Sequence, residues 1–475
     1  MGPAMIKKTK IIATISDKLC DKAFLEKMYL AGMNVVRLNT AHLTIESTRK
    51  IINSVREVSE KIALMIDTKG PEIRTSASGY KVSLNAGDTI LVRGDKEKTT
   101  TPGCIYVSYE NFVDEMHVGA QILIDDGDIE LEVIKKENEA LVCEAKNNGL
   151  INARKSVNVP NVKFNLPTLS AKDKEFIDFA IAEDIDFIAH SFVRSKEDVL
   201  EIQRILDKKK SAVKIIAKIE NQQGVDNIDQ ILPHVAGIMV ARGDLAIEIP
   251  YEKIPGIQKM IINKCIDARK AVIVATQMLH SMIHNPRPTR AEVMDVASAI
   301  YSKTDAVMLS GETAYGDYPV EAVETMSKIA AEVEESRADF HKTPLVVLST
   351  DVSAYLSKSA VGASIKLNAK FIIADTTNGR TMRNISGFRG RKPVYAQCYN
   401  KRVMRELAIF FGIIPNYMES NTANAFIKEG LLHLYEAKQI TKKDLVVVIG
   451  GNFGVSHGAS FIEISTVENL FKRYC

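Results

Sequence analysis

The chain has 475 residues, 46% hydrophobic and 25% charged, which is the balance of a globular protein of about three domains. A formal net charge of +3 argues against attraction to nucleic acid or a membrane surface, and neither is expected as a partner. Six scattered cysteines (20, 104, 143, 265, 398, 475) contain no CxxC pair; this argues against a zinc or disulfide framework and for reduced thiols in a cytoplasm.

The N-terminus, Met1-Gly2-Pro3-Ala4-Met5, has no apolar stretch of signal length, and Ile6 stands where N-acylation wants Ser or Thr. No apolar run reaches the ~18 residues of a membrane span. Short β-branched runs then recur. Three come first: 10–15 (KIIATI), 34–38 (NVVRL) and 62–66 (IALMI). After more than a hundred residues five more follow: 186–190, 214–219, 237–241, 271–276 and 305–309. Continuous apolar runs of this length suit parallel strands buried on both faces. The segments between them, such as 171–183 and 289–300, read as amphipathic helices. Eight strand–helix units predict a (β/α)8 TIM barrel.

The gap is too long for a loop. Its alternating runs, QILIDDGDIELEVI and EALVCEAK, with Gly-Asp and Asn-Asn-Gly turns, predict a small inserted β-barrel domain over 72–166. The barrel then occupies 1–71 and 167–339. A helix runs through 332–336, and from 340 to 475 strands (FIIA, PVYA, LVVVIG) alternate with helical stretches 352–367, 403–410 and 423–435, which predicts a C-terminal α/β domain.

Barrel chemistry sits at the C-terminal ends of the strands. Those ends carry Arg37 and Asn39; Asp67 and Thr68; Ser191; Lys218 and Glu220; Ala241, Arg242, Gly243 and Asp244; Thr276; and Ser310. Glu220 and Asp244 leave adjacent strands and suit Mg2+, which takes few protein ligands. Lys218, two residues before Glu220, shares its side of the strand. Arg37 adds a phosphate clamp, and Gly243 lets backbone N–H groups approach an anion. No GxGxxG or GxxxxGK[ST] occurs, so hydride transfer and a P-loop are not indicated. Metal-assisted phosphoryl transfer leads, with a metal-dependent aldolase as rival.

Longer strings narrow this choice. MVARGDL (239–245), KIEN (218–221), ATQMLHSMIHNPRPTRAEVMDVA (275–297), MLSGETAYGDYP (308–319), DTKGPEIR (67–74), SFVR (191–194), NLPTLSAKD (165–173) and VRLN (36–39) resemble, in order, the signature segments of the pyruvate kinase family. The resemblance spans nearly the whole chain and implies phosphoryl transfer from phosphoenolpyruvate to ADP. It implies Glu220 and Asp244 as ligands of Mg2+ (or Mn2+). Lys218 would stabilise the phosphoryl group and the enolate, and 241–244 would cradle the substrate carboxylate. Thr276 would help protonate the methylene carbon, and Arg37 would bind phosphate. It implies Arg74, Lys155 and His42 as nucleotide contacts, and Asn39, Asp67 and Thr68 as ligands of K+. Glu72 matches the K+-dependent branch. A homotetramer is also implied.

Some positions depart from the family. Its R-x-N-F-S-H-G reads Arg37-Leu38-Asn39-Thr40-Ala41-His42-Leu43 here, so Ala41 withdraws a hydroxyl and a weakened K+ site is expected. G-P-A-S reads Ser16-Asp17-Lys18-Leu19 on the adenine side. These departures motivate a second reading, a catalytically weak paralogue that senses or binds metabolites. Finally, Thr376-Thr377-Asn378-Gly379-Arg380-Thr381 follows the strand FIIA and opens a helix, an anion-binding pattern. It resembles the family's effector loop, and a sugar phosphate or nucleotide is the expected effector. The glycine-rich 450–458 lies where the family closes over that loop.

Overall fold

The computed structural model describes residues 7–77, 80–137, 139–336, 351–419, 425–451 and 458–475. The glycine-rich call at 452–457 and the first six residues lie outside the described residues.

Eight parallel strands close into a barrel: β1 (Lys10–Thr14), β2 (Val35–Asn39), β3 (Ala63–Asp67), β4 (Phe187–His190), β5 (Lys214–Ile219), β6 (Gly237–Ala241), β7 (Ala271–Ala275) and β8 (Ala306–Leu309). Each lies within one residue of its expected position. The apolar runs are continuous because both faces are covered: within these strands only Asn39, at an exit, and Lys214, at an entry, are not buried. Ile12, Val35, Met65, Ala189, Ile216 and Met239 fill the interior, while Ile11, Val36, Leu64, Ile188 and Ile238 pack outward on the helices. The helices Ala171–Ala182 and Arg290–Tyr301 open on capping boxes, Ser170 with Asp173 and Thr289 with Glu292.

Between β3 and β4 the chain builds a six-stranded and a two-stranded sheet, with strands from Val82–Leu84 to Val157–Asn158. They enclose their own hydrophobic core, including Val92, Ile105, Phe112, Ile122 and Leu131.

The C-terminal sheet contains β9 (Phe371–Thr376), β10 (Val394–Cys398), β11 (Ile413–Tyr417), β12 (Leu445–Gly450) and β13 (Phe461–Thr466), in the order β11-β10-β9-β12-β13. Sequence patterning does not reach β11 and β13. Both are edge strands, where Pro415 is tolerated and FIEIST stays half-exposed.

Two carboxylates at strand entries join the barrel to this domain. Asp305 accepts hydrogen bonds from Arg389 Nη1 (2.7 Å) and Nη2 (2.6 Å) and from the N–H of Phe411 (2.9 Å). Asp186 accepts from Arg405 Nε at 2.6 Å and from the Leu64 N–H at 2.9 Å. Burial pushes the Asp186 carboxyl up, against the pull of Arg405 and Arg56. Among the described residues no helix is long and apolar enough to cross a membrane.

Candidate active site

Period-two alternation carries the apolar interior into a polar layer one step nearer the C-terminal rim. Two residues beyond Ile12, Val35, Met65, Ala189 and Ile216 come Thr14, Arg37, Asp67, Ser191 and Lys218. These five form one network. Arg37 Nε donates to Asp67 Oδ2 at 2.6 Å, and its Nη1 donates to Thr14 Oγ1 at 3.0 Å. Lys218 Nζ lies 3.1 Å from Asp67 Oδ1, 2.9 Å from Glu220 Oε1 and 2.7 Å from Ser191 Oγ. Burial works against the charge of Lys218, but Asp67 and Glu220 outweigh it and hold the ammonium above the ordinary lysine range. Burial likewise opposes the Asp67 charge, yet Arg37 and Lys218 keep that carboxyl below its usual range.

Glu220 and Asp244 meet across neighbouring strand ends. Burial, helped by the Asp244 charge, pushes Glu220 up to about 7 against the opposing Lys218. Burial also raises Asp244, with Asp126 and Glu72 adding repulsion. Two carboxylates so placed, Glu220 buried and Asp244 half-buried, attract a cation, and hard oxygens from only two residues leave positions for water and substrate, as Mg2+ prefers.

The surrounding backbone is strained. Phe192 (φ 55°), Thr276 (φ 70°) and Gln277 (φ 53°) are left-handed without being glycine, a feature that clusters at functional sites. The Phe192 N–H donates to Glu220 Oε2 at 2.6 Å. Thr276 Oγ1 accepts the Gly243 N–H at 2.8 Å and donates to Ala275 O at 2.6 Å. Arg242 turns its side chain away from the rim centre: Nη1 pairs with Asp295 at 2.6 Å and Nη2 donates to Thr276 O at 2.7 Å. Only its backbone is left for a carboxylate cradle. Glu312 supports the rim from behind, accepting the N–H groups of Ser310 (2.8 Å) and Leu279 (3.1 Å).

Other predicted residues lie farther out. His42, Arg37 and Asn39 line a cavity of about 390 Å3 together with Ser16, Asp17 and Tyr315. Arg74 pairs with Glu72 at 2.7 Å and reaches Arg154 O at 2.7 Å. Lys155 pairs with Asp125 at 2.7 Å within the inserted domain. Asn39 Oδ1 accepts the Ala41 N–H at 3.1 Å, and Thr68 Oγ1 accepts the Ser191 N–H at 3.0 Å. Asn39, Asp67 and Thr68 bring side-chain oxygens to neighbouring strand ends, with no side-chain oxygen at Ala41. In the 376–381 loop Thr376 Oγ1 accepts the Gly379 N–H at 2.9 Å, Asn378 Oδ1 accepts the Arg380 N–H at 3.0 Å, and Thr381 is buried while Thr377 is exposed. Sequence reasoning missed Thr14 and Tyr315. The alternation that finds Arg37 also finds Thr14, and Tyr315 is a large aromatic left 61% exposed beside the cavity.

Fold and rim together define a (β/α)8-barrel enzyme whose cationic side chains and paired carboxylates converge at the C-terminal ends of the strands. Residues 6–323 match the family description "Pyruvate kinase, barrel domain" and residues 355–465 match "Pyruvate kinase, alpha/beta domain". The chain belongs to the pyruvate kinase family. It is 44% identical over 472 residues to the pyruvate kinase of Borreliella burgdorferi, covering 98% of each chain. It is 42% identical over 459 residues to that of Staphylococcus epidermidis (94% of this chain, 78% of that one). With that of Bacillus licheniformis it shares 41% over 481 residues (98% and 82%).

Proposed function

We infer that the rim transfers the phosphoryl group of phosphoenolpyruvate to ADP, giving pyruvate and ATP in glycolysis. The observation that carries this is the Lys218 ammonium, buried and shared by Asp67, Glu220 and Ser191 beside Asp244. Catalysis of phosphoryl transfer is mostly positioning and charge neutralisation. In this reading Lys218 neutralises the moving phosphoryl group and the enolate oxygen, and Arg37 clamps the phosphate. The backbone of 241–244 holds the carboxylate. Thr276 Oγ1 passes a proton toward the methylene carbon of the enolate. His42, Arg74 and Lys155 contact the nucleotide, with the 390 Å3 cavity beside Tyr315 receiving its base.

Glu220 and Asp244 would hold Mg2+, or Mn2+, which when bound supplies Lewis-acid neutralisation of phosphate and carboxylate oxygens. Asn39, Asp67 and Thr68 would hold K+, weakened by Ala41. Residues 1–71 and 167–339 build the catalytic barrel, 72–166 the lid that excludes water, and 340–475 the effector domain. The assembly is a cytoplasmic homotetramer, and the 376–381 loop takes a sugar phosphate or nucleotide. A Thr376→Ala/Thr381→Ala variant should lose that response.

The test is a lactate dehydrogenase-coupled assay with phosphoenolpyruvate, ADP, Mg2+ and K+. NADH oxidation dependent on all four is expected. A folded chain that binds substrate without turnover would overturn the assignment.

A further inference from the structure

At the end of the barrel opposite the rim, a cavity of about 450 Å3 lies between the strand entries and the C-terminal domain. Among the described residues lining it, five are cationic (Lys214, Arg269, Lys270, Arg380, Arg383) and one, Glu406, is a carboxylate. The barrel supplies Lys214 where β5 begins and Lys270 just before β7. The helix Arg380–Gly387 supplies Arg380, Arg383 and Asn384, whose i, i+3, i+4 spacing puts them on one face.

Two of the cations are already engaged elsewhere. Arg269 lies 4.5 Å from the Phe388 ring centroid and donates to Ile266 O at 2.8 Å. Arg380 pairs with Asp351 at 2.9 Å. The other three are under-neutralised. Lys214 stands 4.0 Å from Glu406, which also serves Arg402 at 3.5 Å. Lys270 Nζ donates to Val235 O at 2.6 Å and Arg383 Nη1 to Asn378 O at 3.1 Å; both partners are neutral, and the one lining carboxylate, Glu406, is shared by Arg383, Lys214 and Arg402. Burial lowers the pKa of Lys270, and the charges of Arg383 and Lys214 lower it further. A separate observation points the same way. Asn384 is 8% exposed and lines the cavity, and among the described residues its buried Nδ2 has no hydrogen-bond partner.

We propose that this cavity binds a phosphomonoester, its phosphate held by Lys214, Lys270 and Arg383 with Asn384 as a neutral donor. A dianionic phosphate matches converging ammonium and guanidinium groups. The volume suits a small ligand carrying more than the phosphate itself, and Gln203 Oε1 and the Ser211 hydroxyl, whose residues also serve Asp207 and the Val213 N–H, line the cavity beside it. The site sits under the strands whose far ends carry Lys218, Glu220 and Thr276. It joins them to the domain that bears the 376–381 loop, two of whose residues, Asn378 and Arg380, also line it.

The test is calorimetric titration of the full chain with ribose 5-phosphate, AMP, unphosphorylated ribose and inorganic phosphate. Wild type is compared with Lys214→Ala/Arg383→Ala and with Thr376→Ala/Thr381→Ala; circular dichroism and melting curves check folding. At least one ester should bind and ribose should not. The cavity variant should weaken ester binding about tenfold or more, the loss of charge-assisted contacts, while the loop variant retains it. If the double variant does not fold, Arg383→Lys, which keeps the charge but loses the fork, should still weaken binding severalfold. The proposal is overturned if neither ester binds, if the cavity variants bind as well as wild type, if the loop variant abolishes the same binding, or if inorganic phosphate binds as tightly as the esters.

Discussion

Replacing Lys218 by Met removes a buried cation that three groups share. Its Nζ lies 2.7 Å from Ser191, 2.9 Å from Glu220 and 3.1 Å from Asp67. The charge matters most when negative charge moves, so the loss falls on the transition state rather than on substrate binding. Losing a principal electrostatic contact costs about a thousandfold in kcat, or roughly 4 kcal/mol of barrier. Stability should suffer less. Stranding a buried charge costs ~3–5 kcal/mol, but Asp67 keeps Arg37 at 2.6 Å, and Glu220, already raised to about 7, takes up a proton. The variant should therefore fold, melt a few degrees lower, and keep a near-native KM. A coupled steady-state assay with a thermal melt reads both quantities. A variant that retains a tenth of wild-type kcat would refute the reasoning, because the ammonium would then be structural.

Glu220→Gln or Asp244→Asn should sharply raise the Mg2+ concentration needed for activity, with part of the rate returning at high Mg2+ or with Mn2+; unchanged metal titrations in both would break the pairing. Burial raises both carboxyls, Glu220 to about 7, so the folded, metal-free chain binds more protons than the unfolded chain. The stability this contributes is full below the ordinary carboxyl range and is lost as pH climbs through about 7. Mg2+ binds the deprotonated pair, so the rise in Tm it gives should be larger at pH 8 than at pH 6, as differential scanning fluorimetry can measure; an equal rise at both would contradict this. Activity should require K+ with modest affinity, and Ala41→Ser should tighten it; full rates in a choline or Tris buffer would count against the cation site.

The barrel was legible because its strands have no solvent face: KIIAT and AVIVA are apolar throughout, and the polar residue that breaks each run marks the rim. Alternation then puts Arg37, Asp67 and Lys218 in one layer. It breaks down where tertiary contacts decide. Nothing in ATQ announces the left-handed backbone of Thr276 and Gln277, in which the Thr276 carbonyl accepts a hydrogen bond from Arg242. Nor does the sequence around Arg242 reveal that its guanidinium turns toward Asp295, a residue 53 positions away in the chain. The edge strands β11 and β13 escaped because each has one unpaired side, so neither needs a continuous apolar run.

The carboxylates at the strand entries bear on how such a protein can be rebuilt. Asp305 draws its countercharge from Arg389, and Asp186 draws much of its own from Arg405; both arginines belong to the C-terminal domain. A barrel cut free of that domain would keep its strands and rim but hold an orphaned acid beneath β8. The two halves are therefore not interchangeable modules. A chimera that borrows its C-terminal half from a distant relative inherits a working interface only if the arginines at 389 and 405 travel with it, whatever the quality of the match elsewhere.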